Sequence, residues 1–217
     1  MIDSYKHQGL RKQLVETIRQ KGITDPNVLE AIGKVPRHYF FESSFLKYAY
    51  EDNAFPIGVG QTISQPYTVA FQTQLLKVSR GQKVLEVGTG SGYQACILAE
   101  IGAKVFSIER QKSLYDKAIK FLPTLGYRIK LFYGDGYKGL PAYAPFDKII
   151  VTAGAPYVPD ALIEQLKPGG ILVIPVGGDD VQEMTTITRI SESEFRRNEH
   201  GRFRFVPLLE DKAKGEL

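Results

Sequence analysis

At 217 residues, 43% hydrophobic and 24% charged, the chain can bury about 70% of its unfolded surface around one core, and no second core is required. No apolar run approaches the roughly 20 residues of a membrane span, the opening MIDSYKHQGLRKQ lacks the apolar stretch of a secretory signal, and the single Cys96 allows no internal disulfide, so a cytoplasmic protein is expected. The net charge of +4 raises nucleic acid as a partner, but the densest basic stretch, residues 189–204, is interrupted by Glu192, Glu194 and Glu199, and no RNA-reading motif appears; neither nucleic acid nor membrane is expected to bind.

In chain order, Leu10, Leu14, Val15 and Ile18 fall at helical spacing among polar residues and predict an amphipathic helix over residues 5–21, ended by Gly22. Thr24 or Asp25 caps a second helix that runs through Ile32, with Pro26 in its first turn in the latter case. Val35 and Pro36 break it. The concentration of Tyr and Phe between Tyr39 and Phe55 is too high for a solvated loop, so this region is expected to pack on the main body as a cap. Breaks at Pro56, Gly58 and Gly60 precede the polar run 61–65, and a helix follows Pro66 over residues 67–77. Ser64 therefore lies near a helix start, where it either caps that helix or has a chemical role.

Residues 83–100, KVLEVGTGSGYQACILAE, organise the rest. They read as a buried strand (Val84, Leu85, Val87), a turn with Gly88, Gly90 and Gly92, and a helix whose Ala95, Ile97 and Leu98 face a sheet. This is a nucleotide-binding corner, because glycines let the backbone approach a ligand and the N–H groups opening a helix attract electron-rich groups. The spacing is G-x-G-x-G, with Glu86 two residues before the first glycine, and not the G-x-G-x-x-G of dinucleotide sites. Residues 104–109 read as the next parallel strand, ending on Glu109, whose carboxylate can accept both hydroxyls of a ribose.

A helix over 113–122 and a strand over 129–133 lead to Gly134-Asp135-Gly136 on the same sheet edge, where Asp135 either contacts an adenine or serves the turn. The strand 146–152 opens into Ala153-Gly154-Ala155-Pro156, small residues that leave space for a substrate. A helix (160–166) and a strand (171–176) follow. The runs 184–190 and 203–209 are expected to complete the sheet as a hairpin, with Asn198-Glu199-His200-Gly201 marking a turn. Cys96 reads as a small core residue, and His7, His38 and His200, far apart in sequence, suggest no metal site. The expected division is a cap and substrate-loop segment over 1–78 packed on a core over 79–217, one compact domain overall.

The corner EVGTGSG with Glu109 resembles the S-adenosylmethionine site of Rossmann-like methyltransferases. Three further places resemble the protein-L-isoaspartate O-methyltransferases: DNAFPIG leading into GQTISQPY (52–67), VTAGAP with ALIEQLKPGG and IPVG (151–177), and FVPL (205–208). The resemblance spans about residues 35–209 and implies an α/β, Rossmann-like S-adenosylmethionine-dependent methyltransferase fold, with a central, mostly parallel sheet, helices on both faces and an N-terminal helical and aromatic cap. It implies S-adenosyl-L-methionine as cofactor, held by Glu86, Gly88, Thr89, Gly90, Gly92, Glu109, Asp135 and Gly136. It also implies Ser64 as the active-site residue and substrate contacts from Thr62, Ile63, Ser64, Ala155 and Val176. The implied substrates are age-damaged proteins and peptides containing L-isoaspartyl residues, whose α-carboxylate is methylated by a monomeric enzyme to begin repair through a succinimide. The family shows an unusual order of its final strands, which the sequence leaves open, and residues 182–202 match no pattern. Two rivals stand beside this reading: a methyltransferase of RNA or a small acid on the same fold, and a cofactor-binding scaffold without turnover.

Overall fold

The computed structural model describes residues 2–213. The chain opens with helices α1 (Tyr5–Gln20) and α2 (Pro26–Lys34). Ser4 caps α1, and Asp25 rather than Thr24 caps α2, accepting the N–H groups of Asn27 and Val28. Pro26 occupies the first turn, where its missing N–H leaves no bond unmade. The aromatic segment folds as two 3-10 helices, Arg37–Phe40 and Ser43–Tyr48.

Residues 55–63, a series of breaks by sequence, form an antiparallel hairpin of β1 (Phe55–Gly58) and β2 (Gln61–Ile63). Strands of three and four residues are too short to show alternation, and Pro56 and Gly58 hide them; Gly58 (φ +97°) and Gly60 (φ +69°) supply the left-handed backbone of the turn. Helix α3 (Pro66–Leu76) has Gln65 at its N-cap position and no side-chain capping bond, so Ser64 is not spent on capping.

The main sheet has the order β5-β4-β3-β6-β7-β8-β9, formed by β3 (Lys83–Val87), β4 (Lys104–Glu109), β5 (Lys130–Tyr133), β6 (Phe146–Val151), β7 (Leu166–Gly177), β8 (Gln182–Arg189) and β9 (Phe195–Phe203). The first five are parallel; β7, β8 and β9 form an antiparallel meander, which places the final strands in simple chain order. Helices α4 (Tyr93–Glu100), α5 (Lys112–Phe121) and the short α6 (Asp160–Glu164) connect the parallel strands.

The register sorts the core onto two faces. Val84, Val105, Ile150 and Val173 pack with Leu76 of α3 and Leu98 of α4 on one; Leu85, Phe106, Ile149 and Leu172 pack with Leu162 of α6 on the other. The cap is continuous with this body: Leu14, Ile18 and Ile32 share a buried cluster with Tyr93, Cys96 and Ile97 of α4. Cys96 is fully buried, as a small core residue should be. Among the described residues, no helix is long and apolar enough to cross a membrane.

The C-terminal hairpin differs from the sequence expectation. The last strand is β9, and residues 198–201 lie inside it; the turn is at 190–194, closed by the Ile190 N–H on the Glu194 carbonyl at 2.8 Å. β9 is an edge strand whose side chains are mostly exposed and largely polar, so it carries no apolar alternation to read. Gly201 (φ +105°) stands where the register with β8 shifts, which made a bulge look like a turn. The apolar run 205–209 instead crosses the mouth of the sheet: Gly154 donates to the Val206 carbonyl at 2.8 Å and Leu208 to the Gly154 carbonyl at 2.7 Å. β7 also starts at Leu166, earlier than expected, with Pro168-Gly169-Gly170 at a register shift against β6.

The order in which strands are added reverses between the parallel neighbours β3 and β6, so the turn after β3 and the end of β6 face a common crevice. Beneath that turn lies a buried polar ladder. Thr89 Oγ1 is 2.6 Å from Ser107 Oγ, and Ser107 Oγ is 2.5 Å from Glu86 Oε2, while Glu86 Oε1 has no partner. Burial raises the Glu86 carboxyl to about 8, with the Glu109 charge adding to the rise and the Ser107 hydroxyl opposing it. Because the folded pKa lies above the unfolded one, the stabilising contribution is complete at low pH and is lost as pH rises through the folded pKa. Stability is therefore expected to fall between about pH 5 and about pH 8, and Glu86→Gln should flatten that fall by on the order of 2–4 kcal/mol, read by urea denaturation at several pH values.

Candidate active site

A cleft runs along the carboxyl ends of β3, β4 and β6. Its floor is the glycine turn. Gly88 (φ +99°) packs so closely on β6 that a Cβ would lie 2.4 Å from Thr152 Oγ1. That hydroxyl lies 2.7 Å from the Gly88 carbonyl and 3.0 Å from the Val87 carbonyl, which ties the turn to the neighbouring strand. Gly90 (φ +54°) donates its N–H to Glu109 Oε2 at 2.8 Å, and the Gln111 N–H reaches Glu109 Oε1 at the same distance. Glu109 is 5% exposed, and burial raises its pKa while these backbone donors oppose the rise. The two oxygens together offer more lone pairs than these backbone N–H groups and that of Arg110 take up, so the carboxylate is fixed at the cleft wall and can still accept.

Gly88, Thr89, Gly90, Glu109 and Gly136 line the cleft, as expected. Gly136 lies against β3 so tightly that a Cβ would sit 2.5 Å from Val87 Cγ1. Three of the expected cofactor residues lie behind it. Glu86 belongs to the buried ladder, Gly92 (φ +85°) opens α4 with no room for a Cβ against Leu122, and the Asp135 carboxylate accepts the Tyr137 N–H at 2.9 Å and meets Lys138 at 3.5 Å. Asp135 thus takes the turn role that its flanking glycines suggested.

The opposite wall is the end of β2 and the start of α3: Thr62 exposed, Ile63 buried and Ser64 half-buried all border the cleft. Ser64 and Thr62 also border a wider groove beside it, lined by Tyr67, Phe71 and residues 200–206. The other two expected substrate residues are elsewhere. Ala155 is fully buried and bridges to Val176 on β7, with its N–H on the Pro175 carbonyl at 2.9 Å. These two brace the loop after β6 and do not face the cleft.

Sequence reasoning missed several walls. Residues 206–209 close the cleft as the crossing strip, and Tyr93, Gln94, Gln72 and Thr152 line it from helices and strand ends. Gln72 donates to the Val151 carbonyl at 2.9 Å and Gln94 to Thr73 Oγ1 at 2.9 Å, leaving Gln94 Oε1 buried without a partner. Buried glutamines on the inner faces of two helices were the available signal, since an apolar residue is the usual occupant there.

The histidines also differ from expectation. His7 and His38 stack with ring centroids 3.9 Å apart, and ligand atoms of both lie within 4.8 Å of those of Asp3. Arg11 takes both Asp3 oxygens, at 3.0 and 2.8 Å, and stacked imidazoles direct their in-plane lone pairs side by side instead of toward one point. His200 is separate, 2.9 Å from Thr186 Oγ1 on β8.

The site therefore sets an acidic strand end and exposed backbone amides on one wall against a serine-bearing segment on the other, an arrangement that can hold a nucleoside beside a second, anionic reactant. The family model for protein-L-isoaspartate(D-aspartate) O-methyltransferase matches residues 9–213. The chain is 65% identical over 213 residues to a protein-L-isoaspartate O-methyltransferase of Christiangramia forsetii, covering 98% of this chain and 100% of that one. The corresponding protein of Flavobacterium psychrophilum is 64% identical over the same shares. Among solved structures, a Plasmodium falciparum chain described as a protein-L-isoaspartate O-methyltransferase in complex with S-adenosyl-L-homocysteine superposes with a TM-score of 0.80 at 26% identity, over 92% of this chain and 98% of that one. The chain belongs to the protein-L-isoaspartate(D-aspartate) O-methyltransferase family.

Proposed function

We infer that this protein transfers the methyl group of S-adenosylmethionine to the α-carboxylate of L-isoaspartyl residues in damaged proteins and peptides. The observation that carries the reading is the facing of Glu109 and the glycine turn by the Thr62-Ile63-Ser64 segment across one cleft. The residues fit the cofactor: at Gly88 and Gly136 the backbone packs where a Cβ has no room, and Glu109 presents a fixed acceptor at a strand end. Bound S-adenosylmethionine supplies a sulfonium-activated methyl group, for which an already ionised carboxylate is a sufficient nucleophile.

The protein's task is then positioning, which can supply a large part of a rate enhancement. Glu109 accepts the ribose hydroxyls, two charge-assisted bonds of about 1.5–3 kcal/mol each. The Ser64 hydroxyl and neighbouring backbone N–H groups hold the substrate carboxylate so that one oxygen points at the methyl carbon. Ser64 orients and does not attack. The α3 start needs no capping bond from it, which leaves its hydroxyl for this use. The cofactor would supply a methyl carbon whose bond to sulfur is exchanged for a bond to the carboxylate oxygen held at Ser64, leaving a neutral thioether and a neutral ester. The neighbouring backbone nitrogen afterwards attacks the ester carbonyl, the new carbon–nitrogen bond replacing the carbon–methoxy bond, and the amide proton leaves with methoxide as methanol, giving the succinimide without further help. The flanking residues of the polypeptide would lie in the wider groove beside Ser64, which Lys21, Asn53, Tyr67 and Phe71 of the cap, residues 1–78, bound on one side.

With labelled S-adenosylmethionine, a peptide containing one L-isoaspartyl residue is expected to gain base-labile label, and the same peptide with ordinary aspartate none. Label on neither peptide despite cofactor binding contradicts the reading. Ser64→Ala should lower kcat/KM on the isoaspartyl peptide by roughly 10- to 100-fold, the loss of one charge-assisted bond, and full turnover would remove its role. Glu109→Ala should weaken cofactor binding by at least about tenfold in calorimetry while a folded circular dichroism spectrum persists; unchanged affinity would remove the ribose assignment.

A further inference from the structure

Arg37 is fully buried, in the 3-10 helix behind the substrate wall. Its Nη2 donates to the carbonyls of Asn53 at 3.3 Å and Ser64 at 2.9 Å. Those two residues bracket the β1–β2 hairpin, so one guanidinium clasps both ends of the segment that carries Thr62, Ile63 and Ser64. Nε and Nη1 form no well-aligned hydrogen bond, although the Tyr93 hydroxyl lies in range of the guanidinium, and the group forms no ion pair among the described residues. The acid whose charge reaches it, Asp52, is already held by the Lys21 ammonium at 2.6 Å and the Tyr67 N–H at 2.8 Å. The guanidinium lies against aromatic faces, its carbon 5.3 Å from the Phe41 centroid and 4.8 Å from that of Tyr93. Tyr93 lines the cleft, and its buried hydroxyl faces the guanidinium without a well-aligned bond.

Burial lowers the Arg37 pKa to about 10, which still leaves it cationic at neutral pH. A buried charge without its own counter-ion is costly, and in a region of low polarity its field reaches well beyond its contacts. A fold that needed only a clasp for two carbonyls has neutral donors available.

We propose that Arg37 is a positioning residue for the methyl transfer: it fixes the hairpin bearing Ser64, and its charge selects a carboxylate over a neutral group at the cleft. The substrate's anion is then the missing counter-charge, separated from Arg37 by the Ser64 peptide unit. The inference rests on the proposed isoaspartyl reading.

The test compares two peptides on protein loaded with S-adenosylhomocysteine: one with an L-isoaspartyl α-carboxylate, the other with that group as a carboxamide. Wild-type protein should prefer the carboxylate. Arg37→Gln should bind the carboxylate peptide about tenfold more weakly, about 1.4 kcal/mol, and the carboxamide little changed, with S-adenosylhomocysteine affinity retained. Arg37→Lys, which keeps the charge and loses the forked geometry, should keep the preference while kcat falls. Equal losses on both peptides in Arg37→Gln would reduce Arg37 to a structural clasp and overturn the proposal, as would a preference lost in Arg37→Lys. Should Arg37→Gln lose cofactor affinity altogether, Arg37→Lys decides alone by the same criterion. Failure of wild-type protein to bind the isoaspartyl peptide would instead overturn the function on which the inference stands.

Discussion

The contact on which the site depends is the pair of backbone bonds to Glu109: Gly90 N–H on one oxygen and Gln111 N–H on the other, each at 2.8 Å. It joins the turn after β3 to the end of β4 and immobilises a carboxylate that burial would otherwise neutralise. The glycine turn can reach Glu109 only because Gly88 and Gly90 take positive φ, and the turn lies flat on β6 only because Gly88 has no Cβ to meet Thr152. A ligand held there meets atoms set by backbone geometry, and little side-chain freedom has to be frozen when it binds.

The second wall has a different construction. The hairpin β1–β2 is too short to hold itself, and its place is set by what lies behind it: Arg37 across its ends, Asp52 joining Lys21 of the α1 terminus to the start of α3, and Ile63 buried in the cap cluster. This explains why a protein whose chemistry needs one serine from this region carries so many aromatics ahead of it. They seat the 3-10 helices on α4 and α5, through contacts such as Phe40 with Tyr93 and with Phe121, and so bring the Ser64 segment over the cofactor corner.

Much of this was legible in the residues. The strand, glycine turn and helix at 83–100 and the strand ending on Glu109 fall as read, because buried parallel strands are continuous apolar runs and glycine spacing is dictated by close approach. Ser64 was placed correctly beside α3 without its surroundings being known. What was hidden falls into two kinds. Edge and hairpin strands, β9 and β1–β2, have no apolar pattern because little of them is buried on a regular face. Long-range partners are invisible to local spacing: Arg37 with Ser64, His7 with His38, and the strip 206–209 folded back over Gly154. The same cause misplaced Ala155 and Val176, whose pairing with each other across β6 and β7 draws them away from the cleft.

In the proposed reaction cofactor and damaged polypeptide meet in one cleft, on opposite walls. A crystal structure of the protein with S-adenosylhomocysteine and an L-isoaspartyl peptide tests it most directly. The ribose hydroxyls are expected on Glu109, the peptide carboxylate at Ser64 with one oxygen facing the sulfur, and the flanking residues in the groove toward residues 200–206. A peptide seated away from Ser64, or a nucleoside that leaves Glu109 uncontacted, would contradict it.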